Sequence, residues 1–231
     1  MKTIGLIGGM SWESSLEYYR ILNETVRERL GGLHSARCVL VSVDFAQIEA
    51  LQSAGRWEES GLILAEAARA LQQAGAECVV LCTNTMHKLA GAIQSAVNIP
   101  FLHIADATGA RVRAVGMHTV GLLGTRFTME EDFYKERLAN AFGLEVLIPP
   151  ADERQQAHDV IYQELCLGIL RPEARACYRG IITGLVARGA QGIILGCTEI
   201  GLLVKPEDSP VALFDTTQIH AIAAVDWALA E

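Results

Sequence analysis

Two stretches of this 231-residue chain occur twice. Thr3-Ile4-Gly5-Leu6-Ile7-Gly8 returns as Thr119-Val120-Gly121-Leu122-Leu123-Gly124, 116 positions later. Gly75-Ala76-Glu77-Cys78-Val79-Val80-Leu81 returns as Gly189-Ala190-Gln191-Gly192-Ile193-Ile194-Leu195, 114 positions later. Two separate segments recurring at almost one spacing point to two copies of a single folding unit, which limits the possible folds more than any local motif. Within each copy, short apolar runs alternate with longer amphipathic stretches. The runs predict strands at 3–7, 38–43, 78–81 and 101–104, then at 119–123, 144–148, 192–195 and 211–214. Their near-continuous hydrophobicity suits strands buried on both faces of a parallel sheet. Between them the spacing predicts helices at 12–30, 59–73, 129–142 and 216–230, the last capped by Asp215. Strands alternating with helices imply right-handed βαβ crossovers, hence an α/β fold of two pseudo-symmetric, doubly wound parallel sheets with the site in a cleft between them. The expected division is 1–104 for the first domain and 105–214 for the second, with 215–231 packing back on the first.

Ligands of open α/β sheets sit beyond the carboxyl ends of the strands. The residues there are small and polar: Gly8-Gly9-Met10-Ser11 and Thr83-Asn84-Thr85-Met86-His87 in the first half, Thr125-Arg126-Phe127-Thr128 and Cys197-Thr198-Glu199 in the second. Hydroxyls and free N–H groups at helix starts make a cradle for a carboxylate or phosphate. The repeat aligns Thr83 with Cys197, Asn84 with Thr198 and Thr85 with Glu199. Two proton-transferring groups on opposite sides of one carbon is the arrangement that inverts a stereocentre, one removing a proton and the other returning it.

Composition narrows the partners. A formal net charge of −8 speaks against nucleic acid and anionic membranes, which need clustered Lys and Arg. No run approaches the roughly 20 apolar residues of a membrane span, and the apolar start of the chain is too short for a secretory signal, so a cytoplasmic protein is expected. The six cysteines show no C-x-x-C pair and no tight His/Cys spacing, which argues against zinc and for reduced thiols. The chain has only four lysines, Lys2, Lys88, Lys135 and Lys205, none in a pyridoxal-phosphate context.

These motifs have a counterpart. Leu81-Cys82-Thr83-Asn84-Thr85-Met86-His87 resembles the strand–Cys-Asn-Thr-x-His motif of the aspartate/glutamate racemases, and Gly196-Cys197-Thr198-Glu199 resembles their second motif. Gly8-Gly9-Met10 and Gly124-Thr125-Arg126-Phe127-Thr128 are similar to that family's glycine-rich and threonine-rich loops. The resemblance spans essentially the whole chain. It implies racemization of aspartate or glutamate without pyridoxal phosphate or any other cofactor, on a two-domain fold that is commonly dimeric. Carried onto this sequence, it makes Thr83 and Cys197 the catalytic pair. The expected substrate contacts are Met10, Gln52, Asn84, Thr85, Thr125, Thr128, Thr198 and Glu199.

One departure has chemical consequences. The family's first catalytic cysteine aligns with Thr83, and Cys82 stands one residue early. A step of one residue turns a strand side chain to the opposite face, so Cys82 is expected in the core. A hydroxyl is a far poorer base than a thiol, whose reference pKa is about 8.5. Cys197 is therefore the expected base, acting on the L-isomer, and Thr83 the proton donor, with unequal rates for the two enantiomers. The residue reading the distal carboxylate is open: Gln52 lies where one is expected, Cys166 stands where others have lysine, and Arg126 or Lys88 are substitutes. Taken singly, Gly8-Gly9 is an ordinary βα turn, Cys78 and Cys82 are core residues, and His103 is a structural histidine. His87 reads equally as a general acid or a packing residue, and Glu199 as a partner of Cys197 or a dipole-stabilised helix acid. The competing functions are a broad-specificity amino-acid racemase and a cysteine-based maleate isomerase, hydantoin racemase or arylmalonate decarboxylase. From a different class comes a catalytically degenerate dicarboxylate-binding protein.

Overall fold

In the computed structural model, which describes residues 1–230, every predicted apolar run becomes a strand. The chain divides into two compact units, Met1–His103 with the C-terminal segment from His220, and Ile104–Ile219.

The first unit runs β1 (Ile4–Gly8), α1 (Trp12–Leu30), β2 (Cys38–Ser42), α2 (Phe45–Ser53), α3 (Trp57–Gln73), β3 (Cys78–Leu81), a 3-10 turn (Thr85–Leu89), α4 (Ala90–Ala96) and β4 (Phe101–Leu102). Its four strands are all parallel in the order β2-β1-β3-β4. Alternate side chains feed two separate hydrophobic layers. Ile4, Leu6, Cys78, Val80 and Cys82 pack against Tyr18, Ile21, Leu22 and Val26 of α1. On the other face Ile7, Val79 and Leu81 meet Ile48 of α2 and Leu64, Ala68 and Leu71 of α3. Each fully buried Leu or Ile contributes about 1.5–3 kcal/mol. The helix α1 begins where the Ser11 hydroxyl accepts from the Ser14 N–H, and it ends at Gly31, whose positive φ of 77° turns the chain away.

The second unit runs α5 (Ile104–Ala114), β5 (Thr119–Gly124), α6 (Arg126–Glu130), α7 (Asp132–Phe142), β6 (Glu145–Leu147), α8 (Ala151–Gln163), a 3-10 turn (Leu165–Leu167), α9 (Pro172–Ala187), β7 (Gly192–Gly196), α10 (Ile200–Leu203), a 3-10 turn (Pro206–Asp208), β8 (Ala212–Asp215) and the start of α11 (Thr216–Leu229). Its parallel sheet has the order β6-β5-β7-β8, which reproduces the first sheet strand for strand. The Asp215 carboxylate caps α11, accepting from the Thr217 and Gln218 N–H groups. From His220 onward that helix belongs to the first unit, where Ala221, Ala224, Val225 and Ala228 join the α1 layer.

Two expectations need correction. The single helix expected at 129–142 is two, α6 and α7, because Glu131 adopts an extended backbone (φ −80°, ψ 155°) and Thr125 starts its own short helix. The run at 101–104 pairs over only two residues, since Ile104 already opens α5. No helix among the described residues is long and apolar enough to cross a membrane.

Candidate active site

In the first unit the site is built on the carboxyl ends of β1 and β3, which are paired neighbours. Past Gly8 the chain must clear the start of the β2–α2 connection. A Cβ on Gly9 would stand 2.2 Å from the Val43 carbonyl oxygen, and its φ is +90°, so only glycine passes. The Gly9 N–H donates to the Ser15 hydroxyl (2.8 Å), which donates to the Ser11 carbonyl (3.0 Å). The Ser14 hydroxyl donates to the Cys82 carbonyl (2.8 Å). The first turn of α1 thus ties the glycine loop to the end of β3.

Cys82 extends the ladder, its N–H donating to the Ile7 carbonyl, and its side chain is wholly buried in the α1 layer. Burial pushes that thiol far above the ordinary range, and it pushes Cys78 up to about 12. Thr83 follows, nearly buried, then Asn84 and Thr85, buried as well. The Thr83 carbonyl accepts from His87 Nδ1 at 2.7 Å. A carbonyl can only accept, so the proton sits on Nδ1. The His87 ring lies 4.5 Å from that of His103 and 5.8 Å from that of His220, centroid to centroid. His220 is fixed in turn, Nε2 donating to the Leu102 carbonyl and Nδ1 accepting from the Tyr18 hydroxyl, both at 2.8 Å. His87 is therefore a buried brace for the Thr83 turn. Met10 and Gln52 are buried on the other side of the sheet. Met10 belongs to the α2/α3 layer, and the Gln52 amide is turned onto the Met86 sulfur. Lys88 holds its ammonium 3.9 Å over the Trp57 ring.

The second unit repeats the plan at β5 and β7. A Cβ on Gly124 would meet the Gly196 carbonyl at 2.7 Å, so these two strands end in close contact. Thr125 caps α6, its hydroxyl accepting from the Thr128 N–H (3.3 Å) and lying 3.2 Å from the Thr128 hydroxyl. After β7 come Cys197, Thr198 and Glu199, all buried. The Cys197 thiol (3.0 Å) and the Thr198 hydroxyl (2.8 Å) both donate to one oxygen, Oε2 of Glu199. The Thr216 hydroxyl holds the Leu195 carbonyl at 2.7 Å, so the start of α11 steadies this turn from below. Burial raises the Cys197 thiol well above its ordinary value, and the nearby Glu199 carboxylate and Cys166 add to the push. The carboxylate that accepts from this thiol fixes the direction of the sulfur, and a positive charge brought beside it would favour the thiolate. Arg126 is exposed, its N–H directed at His158.

The first unit thus brings Thr83, Asn84 and Thr85 beside the glycine loop, and the second brings Thr125 and Thr128 beside Cys197, Thr198 and Glu199. Sequence reasoning missed Ser14, Ser15, Tyr18 and His220. A serine-rich first turn after the glycine pair was a visible signal for the serines. Nothing local marks His220, which lies far along the chain from His87. Among the described residues there is no group of three or more His, Cys, Asp or Glu that would hold a metal ion.

Comparison with known proteins identifies the family. Residues 7–224 match the profile of the family Asp/Glu/hydantoin racemase. A solved candidate Asp/Glu racemase from Yersinia pestis is 53% identical over the whole of both chains, with a TM-score of 0.92. An aspartate racemase homologue from Pyrococcus horikoshii OT3 is 36% identical, again over both chains, with a TM-score of 0.85. A glutamate racemase from Roseiflexus sp. (strain RS-1) is 30% identical over 178 residues, 75% of this chain but only 62% of that relative's length.

Proposed function

Since this chain belongs to the Asp/Glu/hydantoin racemase family, we propose that it racemizes acidic amino acids, L-aspartate or L-glutamate, without a cofactor, using Thr83 and Cys197 on opposite faces of the α-carbon. The observation that carries the reading is the Cys197 thiol at the end of β7, buried and donating to Glu199. The substrate ammonium brings the positive charge that favours thiolate, the thiol proton leaves to solvent, and Glu199 orients the sulfur. The thiolate removes the α-proton of the L-isomer. The Thr83 hydroxyl supplies a proton to the opposite face and is itself reprotonated from solvent. The substrate α-carboxylate rests on Asn84, Thr85, Thr198 and Thr125, where N–H and O–H donors offset the charge that develops as the proton leaves. The two halves are two domains, each presenting one of these surfaces to the substrate, in a cytoplasmic homodimer.

The two faces are chemically unequal. A thiolate competent for the L-isomer is matched by a hydroxyl that is a poor base for the D-isomer, so the L-to-D direction is the fast one at equal substrate, while equilibrium stays at equal amounts. A broader substrate range is the second reading. No Lys or Arg is among the buried polar side chains of the described residues, so a fixed buried cation for the distal carboxylate is not part of either half.

Proton NMR of L-aspartate and L-glutamate in D₂O tests this with three proteins. Wild type is expected to exchange the α-hydrogen without added cofactor. Cys197→Ser is expected to lose exchange by about 10²–10⁴-fold, and Thr83→Ala to keep exchange but lose inversion. Absence of exchange in wild type with measurable binding would replace the enzyme reading with that of a dicarboxylate-binding protein.

A further inference from the structure

The helix α1 has two apolar faces, and only one of them is used. Tyr18, Ile21, Leu22 and Val26 are buried against the sheet. Trp12, Leu16, Tyr19 and Leu30 are 65, 55, 54 and 45% exposed. At 100° per residue these four fall within about 60° of one another, a stripe along the length of the helix. The spacing 12, 16, 19 is that of an interhelical seam, with Asn23 next in line. The stripe continues onto the sheet edge. A Cβ on Gly8 would touch both Ser15 of α1 and Leu40 of β2, and Asn23 Oδ1 accepts from the Ala36 N–H, pinning the α1–β2 connection alongside. Leu40 is itself 46% exposed, and β2 has β1 as its one neighbour in the sheet. Together these side chains expose on the order of 500 Å² of mostly apolar surface. That is comparable to the largest free patch of a typical monomer, which is often functional, and is more than half of the roughly 800 Å² per partner of a stable interface.

We propose that this α1–β2 face is where a second copy of the chain docks, α1 against α1 in antiparallel fashion about a twofold axis near Leu16. The charges beside the stripe are complementary to themselves in that arrangement. Glu13 and Arg20 lie on one flank, seven residues apart. In an antiparallel pair centred on Leu16, Glu13 of one copy stands level with Arg20 of the other to within about 1.5 Å along the axis, and the reverse pair forms by symmetry. Glu13 is part-exposed, and Arg20, already paired with Glu17 and Glu24, has half its side chain exposed. The same arrangement sets Trp12 opposite Arg20, a favourable ring–guanidinium pairing. Because Ser14 and Ser15 of α1 hold the glycine loop and the end of β3, the partner's helix would stiffen the site from behind. The proposal rests on the homodimer reading given above and names its surface.

Sedimentation equilibrium of the full chain tests it, with α-hydrogen exchange measured separately on each protein. Wild type is expected at twice the 25.0 kDa chain mass. Leu16→Glu is expected to raise the dimer dissociation constant at least 100-fold with an unchanged circular dichroism spectrum. Glu13→Arg is expected to weaken the dimer about tenfold and Glu13→Arg/Arg20→Glu to recover it, which a merely unstable variant would not do. A dimer unaffected by Leu16→Glu and by the charge swap overturns the surface and leaves the homodimer reading intact. A wild-type monomer overturns both, and the racemase reading is judged by exchange alone.

Discussion

At the residue scale the proposed chemistry turns on one sulfur. Cys78, Cys82 and Cys197 all have raised thiol pKa values, and burial is the first cause for each. Only Cys197 has a carboxylate as hydrogen-bond acceptor and stands at a strand's carboxyl end among polar groups. Its raised pKa has a directional consequence. The working form of the base is the thiolate, whose population grows about tenfold per pH unit below the thiol's pKa. The proposed mechanism therefore predicts kcat/KM for the L-isomer that climbs with pH through at least pH 9 and falls off in acid. A profile flat from pH 6 to 9 in initial-rate measurements would point to a base other than Cys197. Thr83 illustrates how little a single residue reveals. Its alignment with Cys197 comes from the repeat, and its support, the His87 ring at its carbonyl, comes from the fold.

At the element scale, strand ends and helix starts do the positioning. Gly8, Gly124 and Gly196 each look like the first residue of a turn, yet all three continue their ladders, pairing with Ser42, with Gly196 and with Gly124 respectively. Glycine there lets adjacent backbones and helix starts approach closely, which an apolar-run criterion does not register. Gly9 is the sharpest case, because a side chain would meet the Val43 carbonyl and the positive φ disfavours any L-residue. Gly9→Ala is expected to destabilise the protein by about 3 kcal/mol or more, the sum of left-handed strain and overpacking. A urea midpoint within error of wild type would show that the loop relaxes freely. The split of α6 from α7 follows the same logic. Apolar spacing runs through Glu131, but the hydroxyl of Thr125 nucleates a short separate helix whose last turn ends there.

At the scale of the whole molecule, each unit buries a parallel sheet between helical layers, and three of its thiols lie in or beside those layers. This sets how stability depends on pH. A thiol whose pKa is raised by folding contributes stability that is fully present below the unfolded value and is lost as pH climbs toward the folded one. For Cys78 that window opens near the ordinary thiol value and runs to about 12, and Cys82 and Cys197 shift in the same direction. Unfolding free energy should fall above about pH 9 with a slope of about 1.4 kcal/mol per pH unit for each such thiol. Cys78→Ala should flatten that slope, and equal slopes for both proteins in urea titrations at pH 9, 10 and 11 would refute the assignment.

The chain by itself determined the fold class, the two four-strand sheets and the family. Strand hydrophobicity, the twofold repeat and the four ordered motifs are local or periodic signals, and they survive without knowledge of what touches what. Tertiary structure alone decided which face of each element is used. It turned one side of α1 onto the sheet and left Trp12, Leu16 and Tyr19 outside. It also brought His220 to Leu102 and Tyr18 across more than a hundred residues, and set the Cys197 thiol on the Glu199 carboxylate in a buried turn. Burial and hydrogen-bond partnership are properties of three-dimensional neighbours. The shifted thiols and the braced Thr83 turn arise only when distant segments come together in the low-dielectric core of their own unit.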